Sequence, residues 1–219
     1  SLLCAQGAAA GPWPRAEGTG FAALTPQIDG RSIARARDGA PAFGQVYAEF
    51  GASQDWTVGV DARQTGTRSE DWTGLAFARR HLWSGEQGDV ISAELGVGYL
   101  SSPDDDAQAR LRPGLSWGRG YGGDWGAGWL SVDASAEFQD AGGAPAYKAD
   151  FTAGLKTEGG MMLIMQVQTE RRADGEVGAR LAPSAVMTLS DGVQMQLSVA
   201  AGVMNDNSAS VKLGTWLEF

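Results

Sequence analysis

The chain has 219 residues, and its 17 Lys and Arg against 26 Asp and Glu give a formal net charge of −9. An acidic chain lacks a surface that neutralises phosphates, so we predict no nucleic-acid partner. Cys4 is the only cysteine and His81 the only histidine, which argues against a disulfide framework and against a zinc site or catalytic pair of Cys and His. We therefore expect no cofactor, no metal site and no enzymatic activity.

Glycine is abundant, with 32 residues scattered without a Gly-X-Y period, which is typical of a protein with many turns and curved strands. The longest strongly apolar run is 161–165, far short of the roughly 20 apolar residues that a membrane-spanning helix needs. If this protein crosses a membrane, strands must do so.

Residues 1–10, SLLCAQGAAA, resemble the end of a secretory signal peptide, with an apolar part and then an A-x-A cleavage site before Gly11. The alternatives are a lipoprotein modified on Cys4, which Leu3 disfavours, and an ordinary flexible terminus. We predict a signal-peptide remnant at 1–10, an N-terminal periplasmic segment at 11–17 and a β-barrel domain at 18–219.

From Gly18 onward apolar and polar residues alternate in segments of about 9 to 14 residues, close to the length of a tilted spanning strand. Between Val193 and Val203 the odd positions are apolar, whereas the even positions are small or polar. This reading predicts about twelve strands, near 18–27, 43–51, 56–64, 71–83, 89–100, 106–118, 124–138, 146–156, 160–171, 175–189, 193–203 and 208–219.

Short turn signals separate these segments, so successive strands should be antiparallel neighbours. An even number of strands returns both termini to one side. The predicted fold is therefore all-β, an antiparallel up-and-down transmembrane β-barrel of about twelve strands.

Alternation alone does not decide whether the apolar face contacts lipid or a protein core, and a soluble secreted β-protein remains an alternative. Aromatic residues near strand ends favour lipid, since they resemble the girdles of membrane barrels. These are Trp56, Trp83, Tyr99, Trp117, Phe138 and Tyr147. Trp125, Trp129 and Trp216 depart from this pattern because they share parity with the polar face, and 71–83 alternates poorly.

Long polar side chains at mid-strand on the opposite parity predict a water-filled lumen. The predicted pore-lining residues are Glu94, Arg110, Arg112, Asp133, Asp150, Gln166, Arg180, Gln196 and Lys212. Glu94 is expected to lie near Arg110 or Arg112, and Arg180 to face Gln166. Opposed charges across a pore favour small polar solutes, whereas the same charges fully paired would close a narrow barrel.

The last eight residues resemble the C-terminal assembly signal of bacterial outer-membrane β-barrel proteins, with Lys212, Gly214, Leu217 and Phe219 at its defining positions. The resemblance implies folding by the barrel-assembly machinery and location in the cell outer membrane, in contact with lipid and lipopolysaccharide. It does not identify a subfamily.

The function predicted first is a passive, porin-like channel for small polar solutes. The alternative is a structural barrel that binds an envelope protein through the long loop 28–42, in which Arg31, Arg35 and Arg37 are basic. Asp104, Asp105 and Asp106 could bind a divalent cation, although a solvated turn is the simpler interpretation. His81 matches no serine-hydrolase signature.

Overall fold

The computed structural model describes residues 11–29, 43–64, 72–102, 105–124, 126–140, 142–172 and 175–219. No helix in these ranges is long and apolar enough to cross a membrane. The same ranges contain twelve strands: β1 Gly20–Asp29, β2 Phe43–Gly51, β3 Trp56–Gln64, β4 Trp72–Ser84, β5 Asp89–Ser102, β6 Asp105–Gly123, β7 Gly126–Gln139, β8 Ala146–Lys156, β9 Met162–Arg171, β10 Val177–Ser190, β11 Val193–Met204 and β12 Ala209–Glu218.

Each strand pairs antiparallel with its neighbours in the chain, and β1 pairs with β12 to close the barrel. The closing pair is in regular register, with Phe21 opposite Glu218 and Ala23 opposite Trp216. A closed ring leaves no free strand edge, which satisfies the backbone hydrogen bonds that lipid cannot. The predicted fold class is confirmed, and most strand boundaries agree within two residues.

Side chains alternate across the wall as the sequence pattern predicts. On β11, Leu197 and Val199 are 51% and 48% exposed on the outside, whereas Ser198 and Ala200 are 6% and 5% exposed on the inside. The outer face of the barrel is therefore apolar along its strands.

The two ends of the barrel differ in their connections. The end that carries Gly20 and Phe219 also carries the short turns that join β2 to β3, β4 to β5, β6 to β7, β8 to β9 and β10 to β11; we call it the terminal rim. Glycines with positive φ form some of these turns, such as Gly88 at 81° and Gly192 at 71°. The other end is called the opposite rim.

Strand β4 alternates poorly in sequence for a reason that the structure makes clear. Leu75 and Phe77 are buried inside the barrel together with Arg79, so the inner parity of this strand is partly apolar. The register with β5 then shifts between His81 and Trp83, which is a β-bulge.

Several sequence predictions fall outside the described residues. They concern the signal-peptide remnant at 1–10, all but the first two residues of loop 28–42, and Asp104 of the acidic run. Residues 11–17, predicted as a periplasmic segment, lie against the inside of the barrel wall.

Adjacent residues of β11 provide a matched test of the wall's polarity. Leu197→Arg places a charge on the outer face at mid-strand. We expect it to destabilise the barrel in lipid vesicles, lowering its unfolding free energy by about 2–4 kcal/mol. Gln196→Arg places the same charge inside and should fold nearly as well as the wild type. Urea titrations of both variants in vesicles measure the difference, and an equal cost at the two positions would contradict this orientation.

Candidate functional site

The barrel encloses a cavity of about 1920 Å³ that is lined by side chains from all twelve described strands. Its lining includes Gly88 and Gly192 at the terminal rim, and Arg172 and Asp206 at the opposite rim. The cavity therefore reaches both ends of the barrel, and it is the candidate functional site.

Eight of the nine predicted pore-lining residues border this cavity. They are Glu94, Arg112, Asp133, Asp150, Gln166, Arg180, Gln196 and Lys212. Arg110 does not border it; its guanidinium forms an ion pair with Glu137 on the neighbouring strand β7.

Arg79 is the centre of an ion-pair network on the wall formed by β2 to β6. Its side chain is 6% exposed and donates to Glu49 Oε2 at 3.2 Å and to Glu94 Oε2 at 3.0 Å. The Tyr47 hydroxyl accepts from Arg79 at 3.3 Å and donates to Glu49 at 2.6 Å. A buried charge needs such partners, because water is not there to solvate it.

The network continues from Glu94 towards the opposite rim. Glu94 Oε1 accepts from Arg112 at 3.2 Å, and Arg112 Nη1 lies 3.6 Å from Asp61 Oδ2. Asp61 also accepts from Arg63 at 2.6 Å and from Gln45 at 2.8 Å. Positive and negative groups thus alternate along this wall, and their charges largely compensate one another.

The wall formed by β7 to β12 is richer in uncharged polar groups. Gln166 donates to Thr152 at 3.2 Å, and Gln196 donates to Ser184 at 3.3 Å. These pairs join neighbouring strands on the inner face. Amide and hydroxyl groups of this kind can exchange hydrogen bonds with a passing polar solute or with water.

Lys212 on β12 differs from the other lumen cations. It forms no ion pair with any residue that the structure describes, and Asp150, which acts on it electrostatically, is itself paired with Lys148 at 2.8 Å. Arg63 and Arg180 also act on Lys212 through space. Lys212 is therefore a cation in a partly positive region of the lumen.

Arg180 has a partner that the sequence does not suggest. It donates to Asp206 and, at 2.6 Å, to Ser208, both in the connection between β11 and β12, rather than facing Gln166. The hydrogen bond from Arg180 lowers the pKa of Asp206, and hydrogen bonds from Ser208 act in the same direction against the effect of burial. The connection is thereby held against the barrel at the opposite rim.

One side of the lumen near the terminal rim is apolar, which the prediction of a polar lumen does not include. Its buried side chains form one cluster, contributed by β1, β7, β9, β10 and β12: Phe21, Ala23, Trp129, Met162, Val186 and Trp216. The parity of Trp129 and Trp216 is the sequence signal for this apolar cluster, since both lie on the inner face.

Ser84 and His81 form a pair that the sequence does not predict. The Ser84 hydroxyl lies 3.0 Å from His81 Nε2 near the terminal rim, which is within reach for a nucleophile and its base. The other ring nitrogen, Nδ1, is buried and has no hydrogen-bond partner in the described part of the chain. The described residues therefore provide no third group to orient the histidine as in a catalytic triad.

Removing Arg79 tests how strongly the network supports the barrel. Arg79→Ala leaves Glu49 and Glu94 without their shared cation, so we expect a loss of about 3 kcal/mol in unfolding free energy. Arg63→Ala is the control, because that side chain is 40% exposed and should cost about 1 kcal/mol or less. Urea unfolding in vesicles compares the variants, and equal losses would show that burial of the pair is unimportant.

No protein-family model matches the chain, and comparison with curated proteins finds no relative. Among solved structures, it is similar to the KdgM porin in complex with disordered oligogalacturonate, with a TM-score of 0.66 and 8% identity over 91% of this chain and 99% of that one. It is also similar to an active-site mutant of outer membrane phospholipase A from Escherichia coli, with a TM-score of 0.52 and 16% identity over 94% and 91% of the two chains. Together with the closed twelve-strand ring, these likenesses show that the chain has the fold of the outer-membrane β-barrel proteins.

Proposed function

We propose that the protein is a passive channel for small polar solutes in the outer membrane. The observation that carries the proposal is a single cavity bordered by residues of both rims and of every described strand. A cavity that reaches both rims is what diffusion without moving parts requires. The similarity to a porin is consistent with this function, but at 8% identity it is evidence for the fold only.

The outer surface supports the proposed location in a membrane. Leu95, Val97 and Leu115 are each more than half exposed at mid-barrel, where a soluble protein would bury them. Aromatic side chains near the strand ends are also exposed, among them Trp56, Trp83 and Tyr147. Aromatic residues at these heights favour the boundary between lipid and water.

The two inner walls of the lumen are both polar, but one carries paired charges and the other carries amide and hydroxyl groups. The charged network of Arg79, Glu94 and Arg112 lies on one side, and amide pairs such as that of Gln166 lie on the other. Because the charges on the first wall compensate one another, both walls offer hydrogen-bonding groups with little net charge, which suits small polar solutes and water.

The last strand supports the proposed recognition by barrel-assembly machinery. Phe219 is 72% exposed, and its ring covers Gly20, where an added Cβ would lie only 2.3 Å from it. Lys212 and Gly214 face the lumen, and Leu217 faces outward on the same strand. Lys212, Gly214 and Leu217 therefore lie on the regular strand β12, which closes the barrel by pairing with β1, and Phe219 directly follows it.

Planar-bilayer recording tests the channel. We expect purified protein to give discrete conductance steps, because the cavity borders both rims. Protein that is folded by heat-modifiable mobility but electrically silent would contradict a channel. That result would favour the alternative, a structural barrel that binds an envelope partner through 28–42.

The charge of Lys212 provides a second electrical measurement on the same preparation. Lys212→Glu should shift the reversal potential in a salt gradient towards cation selectivity, because it replaces a lumen cation that has no ion-pair partner among the described residues by an anion. Lys156→Glu is the control, since Lys156 is exposed and does not border the cavity. Equal shifts in the two variants would exclude Lys212 from the conduction path.

A second candidate function is hydrolysis at Ser84 and His81, which their 3.0 Å contact favours. Nδ1 of His81 has no hydrogen-bond partner within the described ranges, which counts against hydrolysis because a neutral imidazole needs the correct tautomer to act as a base. The passive channel therefore remains the proposed function, without enzymatic activity.

Esterase assays with p-nitrophenyl esters and with phospholipid vesicles separate these candidates. We expect no turnover by the wild type and an unchanged conductance in Ser84→Ala. Turnover that disappears in Ser84→Ala, with folding intact, would establish a hydrolase.

A further inference from the structure

Residues 11–19, here called the N-terminal strap, lie inside the mouth of the barrel at the terminal rim. The strap runs along the inner faces of β6, β5, β4, β3 and β2 before the chain enters β1. It covers the wall of the mouth over five of the twelve described strands.

The first part of the strap is held by hydrogen bonds to its backbone. The Gly11 carbonyl accepts from Arg79 at 3.0 Å, and the Pro12 carbonyl accepts from Ser92 on β5. Pro12 is among the most buried residues of the described chain. Since Arg79 also belongs to the ion-pair network, the strap is joined to the charged centre of the lumen.

The second part is held by Arg15 and by a short backbone pairing. Arg15 N donates to Thr57 at 3.1 Å, and Arg15 Nε donates to Glu49 at 2.5 Å. Further along, Gly18 N donates to Gly51 O at 2.9 Å, next to an isolated parallel bridge between Glu17 and Gly51. These contacts give the strap one position rather than a range of positions.

Glycines in the wall make room for the strap. A Cβ on Gly118 would lie 2.5 Å from Pro12 Cγ and 2.6 Å from Trp13 Cη2, both of which are too close. Gly120, on the same face of β6, has nothing within 4 Å of an added Cβ. The strap therefore contacts β6 at Gly118, which we call the seat of the strap, but not at Gly120, so Gly120 can serve as a control position.

The Trp13 side chain lies between the strap and the neighbouring wall, with its ring tip against β6 at Gly118. It packs against the apolar cluster that contains Phe21, Trp129 and Trp216. The strap and this cluster are therefore in contact at the terminal rim. The opposite rim has no comparable inward segment among the described residues.

We propose that the N-terminal strap is the constriction of the channel and sets the size of solute that passes. The inference rests on the proposed channel function. The strap is held by side-chain hydrogen bonds and by the isolated β-bridge between Glu17 and Gly51, not by a full strand pairing. Substitutions in the wall should therefore be able to release it.

Gly118→Val tests the proposal, with Gly120→Val as the matched control. The added side chain at 118 occupies the seat of Pro12 and Trp13, so the strap should leave the wall. We expect single-channel conductance to rise on the order of two-fold, and larger sugars to enter in liposome swelling. Gly120→Val should match the wild type, and both variants must show normal heat-modifiable mobility. Folded Gly118→Val with wild-type conductance and size limit would overturn the constriction.

A chemical measurement keeps the strap testable even if no variant conducts. In a Cys4→Ser background, the thiol of Pro12→Cys should react slowly with a membrane-impermeant maleimide because the position is buried. Adding Gly118→Val should make labelling much faster, whereas adding Gly120→Val should not. Silent bilayers with this labelling pattern would refute the channel but keep the strap's seat; fast labelling in all variants would refute the seat.

Discussion

Backbone hydrogen bonding is the constraint on which this structure depends, and the proposed location in lipid makes it strict. Hydrocarbon offers no partner for a peptide N–H or C=O, so each spanning strand must pair on both sides. The pairing of β1 with β12 meets that condition for the whole ring. Closure also fixes the side chains, because alternate residues of a strand must point to opposite faces. Leu197 and Ser198 are an example: they are adjacent on β11, and Leu197 faces outward while Ser198 faces inward.

Closure directs every polar residue of inner parity into the lumen, where its partners are side chains of nearby strands or water. Arg79 and Glu94 are directly opposite in the register of β4 and β5, which makes their ion pair a consequence of the ladder. Arg112 joins from β6 and Asp61 from β3. The charged wall is thus a rigid surface, and its compensated charge is what the proposed passage of polar solutes requires.

Period-two patterning made the strands and the contact of Glu94 with Arg112 predictable, since both follow from local sequence and neighbouring strands. The partner of Arg180 was not predictable, because Asp206 lies in a connection whose fold depends on close backbone contact with Gly202. The apolar cluster left only a weak signal in the parity of Trp129 and Trp216. The N-terminal strap left none, because no periodic pattern reports where a short non-strand segment docks.

The central claim is that one face of each strand meets lipid while the other meets water, and a cysteine scan of residues 193–203 on β11 tests it most directly. Each single-cysteine variant, folded in vesicles without other thiols, is labelled with a water-soluble, membrane-impermeant maleimide. The account predicts that the even positions 194 and 196 react and the odd positions are protected by lipid, whereas the even positions 198 and 200, at 6% and 5% exposure, react more slowly. Protection of the even positions and reaction of the odd ones, or uniform reaction, would contradict it.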